Sequence, residues 1–552
     1  SGGSLQVDGV LGGTIQVGAS GALGGSGTVG NVHVNAYGVL NPGKSVGPLT
    51  IDGDLTFDSG AIYRVQADAA GNSSKVVVTG AANLKGNVVA LADSGSTYQP
   101  NTRYTILTAQ DLSGSFNTTV ASPLAFLNAA LTQDAHHVYL NLSRNDIGYA
   151  DVVQTRNQRG VAAALQRAVV EGGGAGMTEV ITAVNNLSAD QARKAFESMS
   201  GAGLAGLQRT GMNFTDNFSN QLNGRLQSVG MGRTAQSIYG VQLAANDRLG
   251  DLVPALAQNT VSDGPPSGKF SLGGGIPVGD GTRGFWLRGY GFDQDTDSDG
   301  NASSMHSKGG GVSAGFDTRV QNNLVVGAAF SHGKSDVRAS DTATGKSRGN
   351  AVAAYVSYAT GAWSFNGNLM LAHNANTMNR NVTIGALSQT ARARFASKTA
   401  SFYGEASYDL PQASWNLQPL VGLAVTHNRN DGFTETGAGA VNLQANAQNI
   451  TSTKTLFGAR ALFEFNGIHV QPRAIWAHEL GDVNKGLTAQ LQGVPGAAFT
   501  TYGVNLPRDS LIVGVSVAGK AKHGLSLFAD VQGEFSRKQA GVALLAGLRK
   551  SW

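Results

Sequence analysis

The chain has 552 residues, enough for two or more domains, with 76 glycines, no cysteine, 14% charged residues and a net charge of +4. The lack of cysteine excludes disulfides, thiolate catalysis and cysteine-based metal sites, and the small net charge gives no argument for nucleic acid. No run of about 18 consecutive apolar residues occurs, so a transmembrane helix is excluded and any membrane crossing must use strands of about 9–11 residues.

Residues 1–65 alternate short apolar pulses with Gly and Asn: Leu5 to Val7, Thr14 to Val17, Val32 to Val34, Leu49 to Ile51 and Leu55 to Phe57. Pulses this short suit the rungs of a β-solenoid better than sandwich strands. Ser1-Gly2-Gly3 opens in mid-pattern, which reads as a segment of a longer precursor. Residues 66–148 hold stronger strands (Lys75 to Thr79, Gly86 to Leu91, Tyr104 to Thr108, His137 to Leu142) and read as a cap over the open solenoid end.

At Asp151 the period changes. Val153 to Ala168, Glu179 to Leu187, Asp190 to Met199 and Leu204 to Gln227 have helical spacing, with Ser188 as an N-cap. A further helical stretch spans Thr234 to Ala257, and Gly264 to Gly268 breaks it. Residues 149–282 thus read as a helical linker.

From residue 283 to 552 the period is two. Twelve strands are predicted: 284–293, 308–319, 323–335, 348–359, 362–374, 395–409, 414–427, 451–465, 468–480, 509–519, 524–534 and 541–552. Short turns alternate with long connections; Asp336 to Ser347 and Ala375 to Arg394 are among the long ones. That alternation, with Phe457, Ala459, Ala461 and Phe463 opposing Arg460 and Glu464, describes a membrane β-barrel, lipid outside and water inside. The competing reading, a water-soluble pair of stacked sheets, leaves the loop alternation unexplained.

Three regions resemble the type V autotransporters of Gram-negative outer membranes, of the pertactin-like and adhesin types. Gly24 to Val32 and Leu40 to Gly47 are similar to the end of that family's β-helical passenger, and Tyr104 to Thr108 to its autochaperone cap. Phe285 to Tyr290, Trp476 to Asp482, Pro495 to Thr500 and Gly547 to Trp552 resemble barrel landmarks. The resemblance implies a mainly β chain: a right-handed parallel β-helix end, a helical linker with one helix in the lumen, and a 12-stranded antiparallel barrel.

It further implies export and surface display of the chain's own N-terminal passenger, insertion by the barrel-assembly machinery with periplasmic chaperones, contact with outer-membrane lipid, no nucleic acid, and a monomer. The family often passes from its pore helix almost directly into the first strand, whereas here residues 228–283 intervene. Two stretches are long enough for the pore helix, Thr234 to Ala257, which lies nearer the barrel, and Leu204 to Gln227, which matches the family better and carries Gln208, Arg209, Asn213, Asp216, Asn217, Asn220, Gln221 and Arg225; such a helix should be polar on all sides. The assembly signal would be Val542, Leu544, Ala546, Leu548 and Trp552, an exposed strand edge with an aromatic end. In some members an Asn pair in the pore cleaves the chain; Asn185-Asn186 precedes the pore helix here and reads rather as a helix boundary.

No catalytic, cofactor or metal site emerges. Asp295, Asp297, Asp299 and Gly300 have the alternation of a calcium loop, but His306 stands where an EF-hand needs Glu, so a solvated hairpin is the preferred reading. His478 and Glu479 are adjacent and face opposite ways on a strand, and no hydrolase, zinc or phosphate motif occurs. The alternatives are a surface adhesin or virulence-factor anchor, a barrel enzyme and an open porin.

Overall fold

The structure, a computed structural model, describes residues 2–43, 46–67, 72–90, 98–207, 212, 214–222, 283–321, 323–340, 343–412, 415–465, 468–520 and 525–551. Three parallel sheets build a solenoid over residues 4–114. Ser4–Gln6, Val10–Leu11 and Ile15–Val17 make one turn, and Ala22–Gly25, Thr28–Val29 and Val32–Val34 stack on it in register. A single turn has too little apolar surface to bury itself, so stacking creates the core, with Leu23, Val29, Leu40, Ile51, Leu55 and Phe57 inside.

The solenoid does not end near residue 65. Ser74–Val78 and Thr102–Thr108 continue one of its sheets, and their greater length made them look like a separate cap. The antiparallel hairpin Leu127–Gln133 and His137–Arg144 then pairs with Thr102–Thr108 and stops the parallel stacking.

Four helices follow: α1 (Arg156–Glu171), α2 (Met177–Asn185), α3 (Ala189–Ser200) and α4 (Ala202–Leu207). Thr155 and Ser188 cap α1 and α3, each accepting from the backbone N–H three residues on. Val161, Leu165 and Ala168 on α1, Val180 and Val184 on α2, and Phe196 and Met199 on α3 form one buried face.

The barrel has twelve long strands among the described residues: β1 (Arg283–Thr296), β2 (Met305–Gln321), β3 (Leu324–Ala339), β4 (Ala343–Thr360), β5 (Trp363–Ile384), β6 (Leu387–Tyr408), β7 (Trp415–Asn430), β8 (Gln448–Phe465), β9 (Ile468–Glu479), β10 (Asp509–Lys520), β11 (Leu525–Phe535) and β12 (Gln539–Ser551). Each pairs antiparallel with the next, and β12 closes on β1 from Gly284↔Ser551 to Thr296↔Gln539. Phe285, Leu287, Phe330, Val352, Leu371, Phe402 and Phe457 stand exposed on the outer wall, as a lipid-facing band requires.

Residues 336–347 and 375–394, expected as long loops, are mostly strand. β5 and β6 pair without interruption from Trp363↔Tyr408 to Ile384↔Leu387. At about 3.3 Å per residue, 22 residues span about 70 Å, well past an apolar band of about 25 Å. The ladder continues beyond the lipid with polar outward residues, so the apolar signal fades where the strand does not.

The projecting strands carry the helices. Val382, Ile384, Ala391 and Ala393 of β5 and β6 share one core with α1–α3, with Phe126 and Tyr149 of the cap, and with Val441, Leu443, Leu487 and Leu491 of two outer loops. Those loops add a sheet of their own, Phe433–Thr434, Leu443–Ala445, Leu487–Leu491 and Phe499–Thr501. Arg380 is the polar pin: it donates to Glu435 at 3.0 Å, to the Ser198 carbonyl at 2.8 Å and to the Val441 carbonyl at 2.9 Å.

Glu197 of α3 is pushed up to about 7 from the ordinary 4.5, by burial first and by Asp299 second. The folded cap therefore keeps a proton that the unfolded chain loses, and its stability falls as pH rises from about 4.5 through about 7. Amide exchange in α3, corrected for intrinsic rate, should be faster at pH 8 than at pH 5, and Glu197→Gln should remove the difference. Equal protection at both values in the wild type would contradict the assignment.

Candidate functional site

Residue 212 and residues 214–222 are helical and lie inside the barrel. The helix is bonded to strands on several sides of the lumen. Ser313 of β2 donates to Gln221 Oε1 at 2.7 Å, and Arg288 of β1 donates to the Gln221 carbonyl. Ser219 donates to Asn368 of β5 at 3.4 Å, and Thr426 of β7 donates to Asp216 at 3.4 Å.

This helix is not polar all round. Phe214, Phe218 and Leu222, spaced i, i+4, i+8, are buried against Trp286, Tyr290, Tyr355, Met370 and Phe528 of the barrel wall. The wall makes room with glycine. Gly311, Gly333 and Gly349 are cross-strand neighbours on β2, β3 and β4, with Tyr290 and Asn374 on either side. A Cβ on Gly333 or Gly349 would lie 2.8 or 2.9 Å from the Phe214 ring, closer than carbon atoms approach. The Tyr290 hydroxyl at Gly333 and Asn374 Oδ1 at Gly349 would be met sooner still, so the notch cut by the two glycines holds the Phe214 ring together with two wall side chains. Spacing alone could have flagged the aromatic stripe; nothing local in the sequence announces its glycine seat.

Away from the helix the lumen is held by paired charges. Arg473 meets Asp530 at 2.5 and 2.7 Å and Gln532 at 2.8 Å. Arg460 pairs with Glu405, which also accepts from Tyr403 at 2.7 Å, and Arg549 pairs with Asp317 at 3.1 Å. The three carboxylates each accept from a further hydroxyl, Glu405 from Tyr403, Asp317 from Tyr355 and Asp530 from Ser516, which offsets part of the cost of burying the charge. A cavity of about 170 Å³ beside the helix is lined by Asp216, Asn217, Asn220, Lys454, Glu479 and Glu534.

Of the pore-helix candidates, Asp216, Asn217, Asn220 and Gln221 sit in this helix, whereas Gln208, Arg209, Asn213 and Arg225 lie outside the described residues, as does the second stretch, 234–257. Val542, Leu544, Ala546 and Leu548 share the outward face of β12, and Trp552 lies outside the described residues. The β12 edge is not exposed in the finished barrel, because β1 covers it along its length.

Asn185 and Asn186 are remote from the lumen. Asn186 pairs with both backbone groups of Tyr98, at 2.6 and 2.9 Å, and Asn185 accepts from the Tyr149 hydroxyl at 2.8 Å. Asn186 thus clasps the solenoid to the end of α2. The run Asp295, Asp297 and Asp299 does not gather on one point, but Asp295 joins Asp293 around His306 in a cluster whose ligand atoms lie within 4.8 Å of one another. Asp299 caps the backbone of Asn301, Ala302 and Asn505, and Asp295 faces His306 at 2.8 Å. His478 contacts Asp509 at 2.8 Å on the outer wall, while Glu479 accepts from the Thr453 and Gly481 amides.

Gly333→Val and Gly349→Ala should unseat Phe214 while leaving the strand ladder intact. Each should raise the ion conductance of the purified barrel in a planar bilayer, and Phe214→Ala combined with Gly349→Ala should show no further rise from the glycine change. Wild-type conductance in both glycine variants would show that the notch does not hold the helix.

Residues 285–532 match the autotransporter beta-domain family model. Over 587 aligned positions the chain is 25% identical to an extracellular serine protease of Serratia marcescens, covering 99% of this chain and 53% of that protein. The chain thus spans about half the length of that relative. Among solved structures it is similar to the translocator domain of autotransporter NalP from Neisseria meningitidis, with 14% identity, a TM-score of 0.42, and coverage of 49% of this chain and 89% of that one. The beta domain of the Bordetella autotransporter BrkA gives 17% identity, a TM-score of 0.38, and coverage of 49% and 100%.

Proposed function

We propose that residues 285–532, which match the autotransporter beta-domain family model, form an outer-membrane translocator, and that the lumen helix is the segment left behind by export of the solenoid. One observation carries this reading: residues 214–222 form a helix inside the barrel, between the helices at the projecting end and the start of β1. The solenoid and α1–α3 gather at the end where strands project, the helix lies in the lumen, and β1 begins at Arg283 on the rim of short turns. A passenger drawn outward through a pore leaves this topology.

The translocator itself is a conduit and not a catalyst. The printed name of the Serratia relative makes that protein a protease; a peptidase unit joined ahead of the solenoid would be carried by the same route. Val542, Leu544, Ala546 and Leu548 would serve barrel assembly only before β1 pairs with β12, so the assembly machinery and periplasmic chaperones would read an open form. Outer-membrane lipid would then contact the same outward residues in the closed monomer.

The chain has no cysteine, so single introduced thiols report cleanly. Lys85→Cys on the solenoid should react with a membrane-impermeant maleimide on intact cells. Thr360→Cys in a short turn should react only after the outer membrane is opened. Labelling of Thr360→Cys but not Lys85→Cys on intact cells would reverse the orientation and sink the export reading.

A further inference from the structure

We propose that the outer wall of β3–β7 carries a binding ledge for the phosphate groups of outer-leaflet lipid. The inference presupposes only that the barrel sits in the outer membrane. Cross-strand register aligns the outward residues into rows. One row is apolar: Phe330, Val352, Leu371 and Ala400. The next row toward the projecting end reads His332, Asn350, His373, Lys398 and Arg429, each directly opposite its neighbour. Above it Lys334 faces Arg348, and higher still Lys346 and Arg394 stand on either side of Thr377. The wall changes from hydrocarbon-facing to basic within two residues, all of them exposed.

This charge is not neutralised within the protein. Among the described residues no carboxylate pairs with Lys334, Arg348, Lys398 or Arg429; Asp336 lies 3.8 Å from Lys346 only. Like charges placed directly opposite on a sheet are destabilising, so Lys334–Arg348 and Lys398–Arg429 call for an anion between them. The position names its chemistry. An anion that meets this ledge must lie at the height where lipid chains end, which is where lipid phosphates are. The two basic pairs are centred three strands apart, at about 4.8 Å per strand, and two residues apart in height, at about 3.3 Å per residue, which puts them about 16 Å from each other, so a headgroup bearing two phosphates would bridge them.

The full chain, purified in nonionic detergent, would be titrated with bisphosphorylated lipid A and with its dephosphorylated form, counting bound lipid by native mass spectrometry. The wild type should retain the phosphorylated lipid, and less of it as salt rises. The fourfold variant Lys334→Gln, Arg348→Gln, Lys398→Gln, Arg429→Gln should bind roughly 10-fold more weakly or worse, while Lys75→Gln with Lys85→Gln on the solenoid should bind as the wild type does. The heat-induced gel shift of a folded barrel, measured on every variant, separates a lost ledge from a lost fold; if the fourfold variant lacks the shift, the two pairs are tested as separate double variants. Undiminished binding by the folded variants, equal retention of the dephosphorylated lipid, or displacement of the lipid by inorganic phosphate alone would overturn the assignment.

Discussion

The pairing of β12 with β1 is the constraint on which the rest of the structure depends. In hydrocarbon an unpaired backbone group costs several kcal/mol, so a sheet survives there only when it has no edge. Closure from Gly284↔Ser551 to Thr296↔Gln539 fixes both the start of β1 and the end of β12 at one rim. The solenoid and its helices are at the opposite rim. The chain must therefore travel from one rim to the other before β1. A path through lipid is closed to a helix bearing Asp216, Asn217 and Asn220, because such groups are expensive in hydrocarbon. The lumen is the path that remains, and the helix is there.

A lumen with a helix in it must be shaped as well as wet. The wall solves this in two ways. On the side of β2–β4 it removes side chains, so that Phe214 rests on Gly333 and Gly349. Elsewhere it fills space with paired charges, Arg473 with Asp530 and Arg460 with Glu405. The apolar side gives the helix one rotational setting, since turning it by a few residues would drive Phe214 and Phe218 into charged groups. The polar side bonds to Ser313, Arg288, Asn368 and Thr426 of the wall, contacts that a plain hydrocarbon plug could not offer. The plug is thus keyed, not merely lodged.

Features set by local pattern were legible in the sequence. Strand alternation gave the barrel and its twelve strands, and the Ser188 cap gave the start of α3. Failures came where the information is held at a distance. Residues 375–394 looked like a loop because outward residues such as Thr377, Asn379 and Arg394 are polar, although the inward Met378, Val382 and Ala393 keep the strand's second face. The inward face of a strand outside the membrane packs on helices that come some 200 residues earlier, and no local window sees them. The helix in the lumen was judged on its polar residues, but its apolar stripe only makes sense beside glycines on β3 and β4. Asn186 reads as a helix end by sequence; its bonds to Tyr98 exist only because the solenoid folds back against α2.

The same distant packing supplies a direction to the process that the topology implies. On the outer side, α1–α3 bury Val161, Leu165, Val184 and Phe196 in one core with β5, β6 and two loops, and Arg380 is satisfied only when α3 and the Glu435 loop are both in place. None of these contacts can exist while residues 156–200 are threaded through a lumen whose cavity beside the helix is about 170 Å³. Each becomes available only after the segment has emerged. Returning it would require taking the core apart, exposing its apolar surface to water, and removing the Ser198 carbonyl to which the buried Arg380 donates. The folded product outside is therefore the barrier to reversal, and it is built from the barrel's own projecting strands. No external energy source is needed at that surface for the movement to be one-way.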